Sequence, residues 1–412
     1  MNYTEALKKE LKQFNWQEIT QQAPDRIWDV VIVGAGPAGA MAAISLAKEG
    51  RQVLLVDRAI FPRDKICGDS IIDSAGAYIE KIGLSERFQE LSKQLAGIRV
   101  FSPSGIEFTI NVKYFTIKRK VFDALLVQKA IENKVTFAQG YIIGIDENNN
   151  DTLSFYTRHS RSFIKARFAI IATGANVGLA HKLKAVTTLK PDAVAMRCYA
   201  KSSLIIDHII LSYDKHIIPG YGWVIPLGNN EYNLGCGIYF RNKNSFNLQK
   251  QFQFFIAHFP LAKELLKNGE IITPLRGAAL RCGLKGVRTN INNKILLVGE
   301  TIGATFPFSG EGIVPALETG EMAASAVHQY LTTGDRKFLD NYTFAINSQL
   351  KPKYKGFEIA QKWVSYSWLS DFMARRIKKS EYLQNACATC LTKKTDPREV
   401  YSLKGIISSF IK

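Results

Sequence analysis

Short, uninterrupted apolar runs recur along the chain, and the first is followed by a glycine turn and a helical rhythm. "VVIV" at Val30–Val33 and "VLLV" at Val53–Val56 have the length and composition of strands buried on both faces. "KVFDALLVQKAIENK" has helical spacing, "VTFAQGYIIGIDE" and "TLSFYTRH" alternate like paired strands, and "RFAIIATGA" is a further apolar strand ending in small residues. "ENNND" between the alternating segments predicts a turn. The pattern predicts an α/β fold. From about Val186 to Arg276 it changes to aromatic strands such as "GYGWVIPLGNNEYNLGCGIYF", with a helix around "LQKQFQFFIAHF". "IRVFSPSGIEFTI" begins the same theme earlier, so this second, α+β unit is expected to be discontinuous. "KILLVGETIGATFPFSGEGIVPALETGEMAA" then returns to strand, glycine turns and helix. The expected division is residues 29–75, 116–185 and 277–335 in the first unit and 76–115 and 186–276 in the second. A C-terminal helical region at 336–412 and an N-terminal extension at 1–28 complete it.

Length and charge narrow the classes. The 412 residues are enough for two or three domains, and no apolar run approaches the roughly 20 residues of a membrane span. Residues 1–28 lack the apolar core of a signal peptide, so a cytoplasmic location is expected. Six cysteines in so long a chain predict free thiols, with Cys387 and Cys390 of "CATC" read as two helix-borne thiols. Scattered histidines indicate no metal site. The formal charge is +18, and residues 351–412 contribute 13 basic against 5 acidic side chains. "FMARRIKKSEYL" and "LKGIISSFIK" predict helices with one apolar and one basic side. Such a basic side suits solvent, anionic lipid at the inner membrane surface or an acidic protein. No nucleic-acid-binding motif accompanies the charge.

The chemistry begins at "VVIVGAGPAGAMAA". Gly34, Gly36 and Gly39 stand where side chains would block the turn, the pyrophosphate and helix–strand packing, and the helix from Pro37 offers N–H groups to phosphate. Asp57, 23 residues after Gly34, ends the next strand, where a carboxylate accepts hydrogen bonds from a ribose. Dinucleotide binding follows, without the identity of the dinucleotide.

In combination, "VGAGPAGAMAA", "FPRDKICGDSI", "TIKRKVFDALL", "ATGA", "YGWVIP" and "PFSGEGIVPALETG" resemble flavoprotein reductases of the geranylgeranyl reductase family. That family lies within the group sharing the para-hydroxybenzoate hydroxylase fold. The resemblance implies a Rossmann-like FAD-binding domain, with Gly34, Gly36, Gly39, Asp57 and Arg119 on the cofactor. It places Glu300, where the family has aspartate, near the ribityl chain. It aims the helix after Pro307 at the flavin, with Gly310, Glu311, Gly312 and Ile313 presenting N–H groups. Cys67 matches a cysteine near flavin and alkene, able to supply a proton or to shape the site. Tyr221, Trp223 and Pro226 match an aromatic strand lining an isoprenoid channel. The implied activity is reduction of carbon–carbon double bonds in an apolar small molecule. "YGWVIP" is also close to the WxWxIP signature of flavin-dependent halogenases, so monooxygenase or halogenase chemistry is the alternative. With a single dinucleotide fingerprint, electrons are expected from NADPH or from an acidic carrier, reduced ferredoxin or flavodoxin.

Overall fold

Runs that are apolar on both faces pair side by side in the interior. In the computed structural model, which describes residues 9, 11–22, 25–148, 151–158, 163–240, 247–392, 395–402 and 405–407, strand Ile27–Val33 lies between Val53–Asp57 and Ile164–Ile171, parallel to both. Val31 is level with Leu54 and Ala169, and all three are fully buried. Thr136–Gln139 extends this sheet beyond Val53–Asp57, and Ile295–Leu297 extends it beyond Ile164–Ile171. Helix Pro37–Lys48 packs against both Arg119–Glu132 and Ile313–Thr333. These crossings build a doubly wound nucleotide-binding sheet from three separated stretches of chain.

Two features of this sheet differ from the pattern-based expectation. "VTFAQGYIIGIDE" divides at Gly140, so that Thr136–Gln139 joins the parallel sheet while Ile142–Glu147 forms a hairpin with Leu153–Thr157. A side chain at Gly140 would press on the Trp16 ring, with 3.1 Å to its nearest atom. Phe14–Asn15, within the N-terminal extension, adds a parallel edge strand beside Thr136–Gln139. Asn149 and Asn150 of "ENNND" and His159 lie outside the described residues.

The aromatic strands form a second sheet. Gly220–Gly228 and Glu231–Tyr239 pair antiparallel, with Ala193–Ser202 beyond them, and Ile209–Ser212 joins them to the Lys93–Phe101/Glu107–Thr116 hairpin. The strand period of two sorts the faces. Val224 meets a cluster with Phe252 and Phe255 of helix Leu248–His258, whereas Tyr221, Trp223 and Ile225 face a cavity. Ser70–Ile72 and residues 277–280 of strand Arg276–Leu280, expected with the nucleotide unit, hydrogen-bond into this sheet. The boundaries at 75 and 277 therefore do not follow sheet membership: the segment carrying Cys67 crosses between the sheets before its next strand begins.

Helices Lys351–Val364, Ser367–Lys379 and Glu381–Leu391 follow, and the last two lie against Glu107–Thr116. The Asp371 carboxylate fastens Ser367–Lys379 to the hairpin turn, accepting from Ser102 Oγ at 2.6 Å, Ser104 N at 2.9 Å and Ser104 Oγ at 2.8 Å. Most of "LKGIISSFIK" lies outside the described residues. Among those described, no helix is long and apolar enough to cross a membrane.

Candidate active site

A cavity of about 900 Å³ runs from the fingerprint turn to the underside of the C-terminal helices. At its polar end the three glycines serve different needs. Gly34 has φ +108°, and a Cβ there would lie 2.2 Å from Ala172 O; a Cβ on Gly39 would lie 1.8 Å from Gly34 O. Gly36 is extended, and the nearest atom to a Cβ there is an Arg63 guanidinium nitrogen at 3.8 Å. Space is therefore left open at Gly36, beside a helix start where anions are favoured. Asp57 holds the rim: Oδ2 accepts from Ala35 N at 2.8 Å and Oδ1 from Ala59 N at 2.9 Å.

On the opposite wall, Glu300 Oε1 accepts from Arg281 N at 3.3 Å, and Glu300 lines the cavity. The turn before helix Ile313–Thr333 presents fewer donors than its motif implies. Gly310 N–H is given to Phe306 O and Glu311 N–H to Ser309 Oγ, while the Glu311 side chain caps Val314 N at 2.9 Å. Gly312 and Ile313, both on the cavity wall, keep their N–H groups at the helix start. Donors at both helix starts, the open space at Gly36 and the carboxylate at the strand end fit FAD.

Cys67 stands where the polar end meets the apolar one. Its thiol contacts the Arg119 guanidinium and the Asp69 N–H, but burial dominates and pushes the thiol above its ordinary pKa. Arg119 lines the cavity, and its guanidinium is committed to Asp123 through hydrogen bonds of 2.7 and 2.8 Å. Burial alone would raise Asp123; Arg119 and Arg63, the latter at 2.8 Å, hold it below the ordinary carboxylate value.

The motifs do not single out Asp69, Tyr199 and Asn233. Asp69 is fully buried at φ +61° and accepts from Arg119 N at 2.9 Å, Tyr199 OH at 2.7 Å and Asn233 Nδ2 at 2.9 Å. Burial raises its pKa despite these donors. Asn233 Nδ2 also donates to Cys67 O at 2.7 Å, and its Oδ1 accepts from Trp223 Nε1 at 2.9 Å. One amide thus ties the Cys67 loop to the aromatic strand. An asparagine amid the apolar positions of "EYNLGCGIY" is the sequence signal for it.

Tyr221 and Trp223 line the cavity with ring centroids 6.0 Å apart. Tyr221 OH donates to Ser309 O at 2.7 Å, and burial raises its pKa, so it remains a phenol that anchors the turn. With the indole N–H on Asn233, both polar tips are engaged and the rings present apolar surface. Beyond them the cavity is walled by Val100 and Ile110 of the sheet and roofed by Met373 and Ile377, with Cys387 and Cys390 further on. All six cysteines are free.

A dinucleotide groove opening into an apolar chamber defines the class, an FAD-dependent oxidoreductase. The chain belongs to the family described as lycopene cyclase protein, whose family model matches residues 29–260. Its curated relatives include digeranylgeranylglycerophospholipid reductases, to which the chain is similar. It is 27% identical to menaquinone reductase of Mycolicibacterium smegmatis, over 81% of this chain and 83% of that one. It is 26% identical to digeranylgeranylglycerophospholipid reductase of Methanocella arvoryzae, over 92% and 98%. Among solved structures, flavin-dependent brominase Bmp2 matches with TM-score 0.76 at 21% identity, covering 94% of this chain and 98% of that one. A geranylgeranyl bacteriochlorophyll reductase-like protein from Thermoplasma acidophilum matches with 0.74 at 19% identity, covering 94% and 96%.

Proposed function

We propose that this protein reduces carbon–carbon double bonds of an isoprenoid or similarly apolar chain held in the chamber. The observation that carries this reading is the position of the Cys67 thiol, at the junction of one continuous cavity whose far part is walled by aliphatic and aromatic side chains. FAD, when bound, supplies the hydride. Gly36 would leave room for its pyrophosphate, Asp57 would take its ribose, and the Gly312 and Ile313 N–H groups would favour negative charge on the ring. Tyr221 and Trp223 hold the alkene flat and exclude water, and orientation of this kind supplies much of the rate. The Cys67 thiol, kept protonated by burial, carries the proton for the second alkene carbon.

The relatives' names support reduction of isoprenoid-bearing molecules. The fold does not discriminate, because a brominase and a reductase-like protein share it at similar TM-scores. The deciding experiment mixes flavin-reduced protein with polyprenyl lipids, first without oxygen and then with oxygen and bromide. Products heavier by two hydrogens per bond in the anaerobic arm are expected. Oxygen or bromine gain, with no anaerobic product, would replace this reading by the monooxygenase or halogenase one. Reduced ferredoxin, flavodoxin or NADPH supplies electrons from outside, and the donor that reduces bound flavin fastest identifies it.

A further inference from the structure

The C-terminal helix Ser367–Lys379 has two opposed stripes. Ser370, Met373, Ala374 and Ile377 line the chamber. At 100° per residue, Trp368, Phe372, Arg375 and Lys379 fall on the side directly away from them. Trp368 is 71% exposed, and Tyr366, just before the helix, is 45% exposed. Arg375, Lys378 and Lys379 are exposed as well. Over residues 351–392, six exposed lysines and arginines face one exposed carboxylate, Glu381; Glu358 is paired with Lys285 and Asp371 with the two serines. Cations in a last turn are explained by the helix dipole alone, but an exposed tryptophan one residue into the helix is not.

We infer that the outer stripe of Ser367–Lys379 rests on an anionic phospholipid bilayer, with Trp368 at the headgroup–acyl boundary, Arg375 and Lys379 on lipid phosphates and Lys378 at the flank of the stripe. An indole at the start of one helix face and guanidinium and ammonium groups at its end suit that interface, whereas an acidic protein would be met by the cations alone. The same helix is then the partition between the bilayer and the chamber, and an apolar chain passes behind it without crossing bulk water. This last step rests on the chamber being the isoprenoid site.

The test uses the full-length, FAD-loaded protein with phosphatidylcholine vesicles, with and without phosphatidylglycerol. Co-sedimentation with the anionic vesicles and quenching of tryptophan emission by brominated lipid are expected. Arg375→Gln/Lys379→Gln should lower partition roughly 30-fold at low salt and flatten its salt dependence. Trp368→Ser should lower partition and remove most of the quenching. Parent-like partition in both variants overturns the inference. So does unchanged partition combined with slower flavin reduction by ferredoxin, which would make the helix a carrier dock. Partition needs no turnover, whereas anaerobic reduction of detergent-dispersed polyprenyl lipid tests the activity; the two failures are therefore distinguishable.

Discussion

Gly36 is the fingerprint glycine at which a side chain is compatible with the protein but not with the proposed ligand. Its backbone is extended, and a Cβ added there would lie 3.8 Å from its nearest neighbour, the Arg63 guanidinium. Gly36→Val is therefore expected to melt near the parent temperature while losing flavin absorbance, whereas Gly39→Val, forced against Gly34 O, should fail to fold. Full flavin content in folded Gly36→Val would displace the pyrophosphate from this turn. At Cys67, the raised pKa means that alkylation stays slow until pH climbs above the ordinary thiol range. Cys67→Ala should retain FAD and slow anaerobic single turnover by about 10²–10⁴-fold, the usual span of general-acid assistance. The fingerprint glycines, Asp57 and Cys67 were legible because each sits in a contiguous motif. The meeting of Asp69, two residues after Cys67 in the same motif, with Tyr199 and Asn233 was not, since it joins a loop to two strands far from it in the chain, which no local spacing encodes.

Between elements, the couplings are polar. Asp123 joins helix Arg119–Glu132 to the Arg63 loop. Because folding lowers its pKa, its contribution is present above the ordinary carboxylate value and is lost as pH falls through the folded one. Folding raises Asp69, so that contribution has the opposite sign: it is full below the unfolded value and lost as pH rises through the folded one. Asp123→Asn should cost about 3–5 kcal/mol at neutral pH and flatten the acid limb of stability, measured by denaturant melts across pH. Asn233→Leu should cost about 1–3 kcal/mol, by leaving the Trp223 N–H and Cys67 O without their partner. Asp371→Ala should speed amide exchange in Ser367–Lys379 and leave Pro37–Lys48 unchanged, because the carboxylate's three hydrogen bonds all reach the hairpin turn. The helices and strands themselves were largely readable from periodicity. "VTFAQGYIIGIDE" misled because alternation reports a half-buried face and is blind to whether the partner strand runs parallel or antiparallel.

For the whole molecule, the return of the chain to the nucleotide sheet was visible in the third strand–turn–helix segment, but the sheet memberships of Ser70–Ile72 and residues 277–280 were not, being set by pairing across long gaps in the chain. That return has a consequence for biosynthesis. The strand Ile295–Leu297 and the donors at Gly312 and Ile313 emerge from the ribosome after every strand of the second sheet, although they complete a groove begun at Val30. A nascent chain carries half a groove through most of its translation, with the apolar edge of Ile164–Ile171 waiting for a partner. Stalled chains exposing residues up to 290 should retain no flavin, and those exposing residues up to 333 should retain it, so cofactor capture falls near the end of synthesis and makes the earlier interval the one in which chaperones are needed.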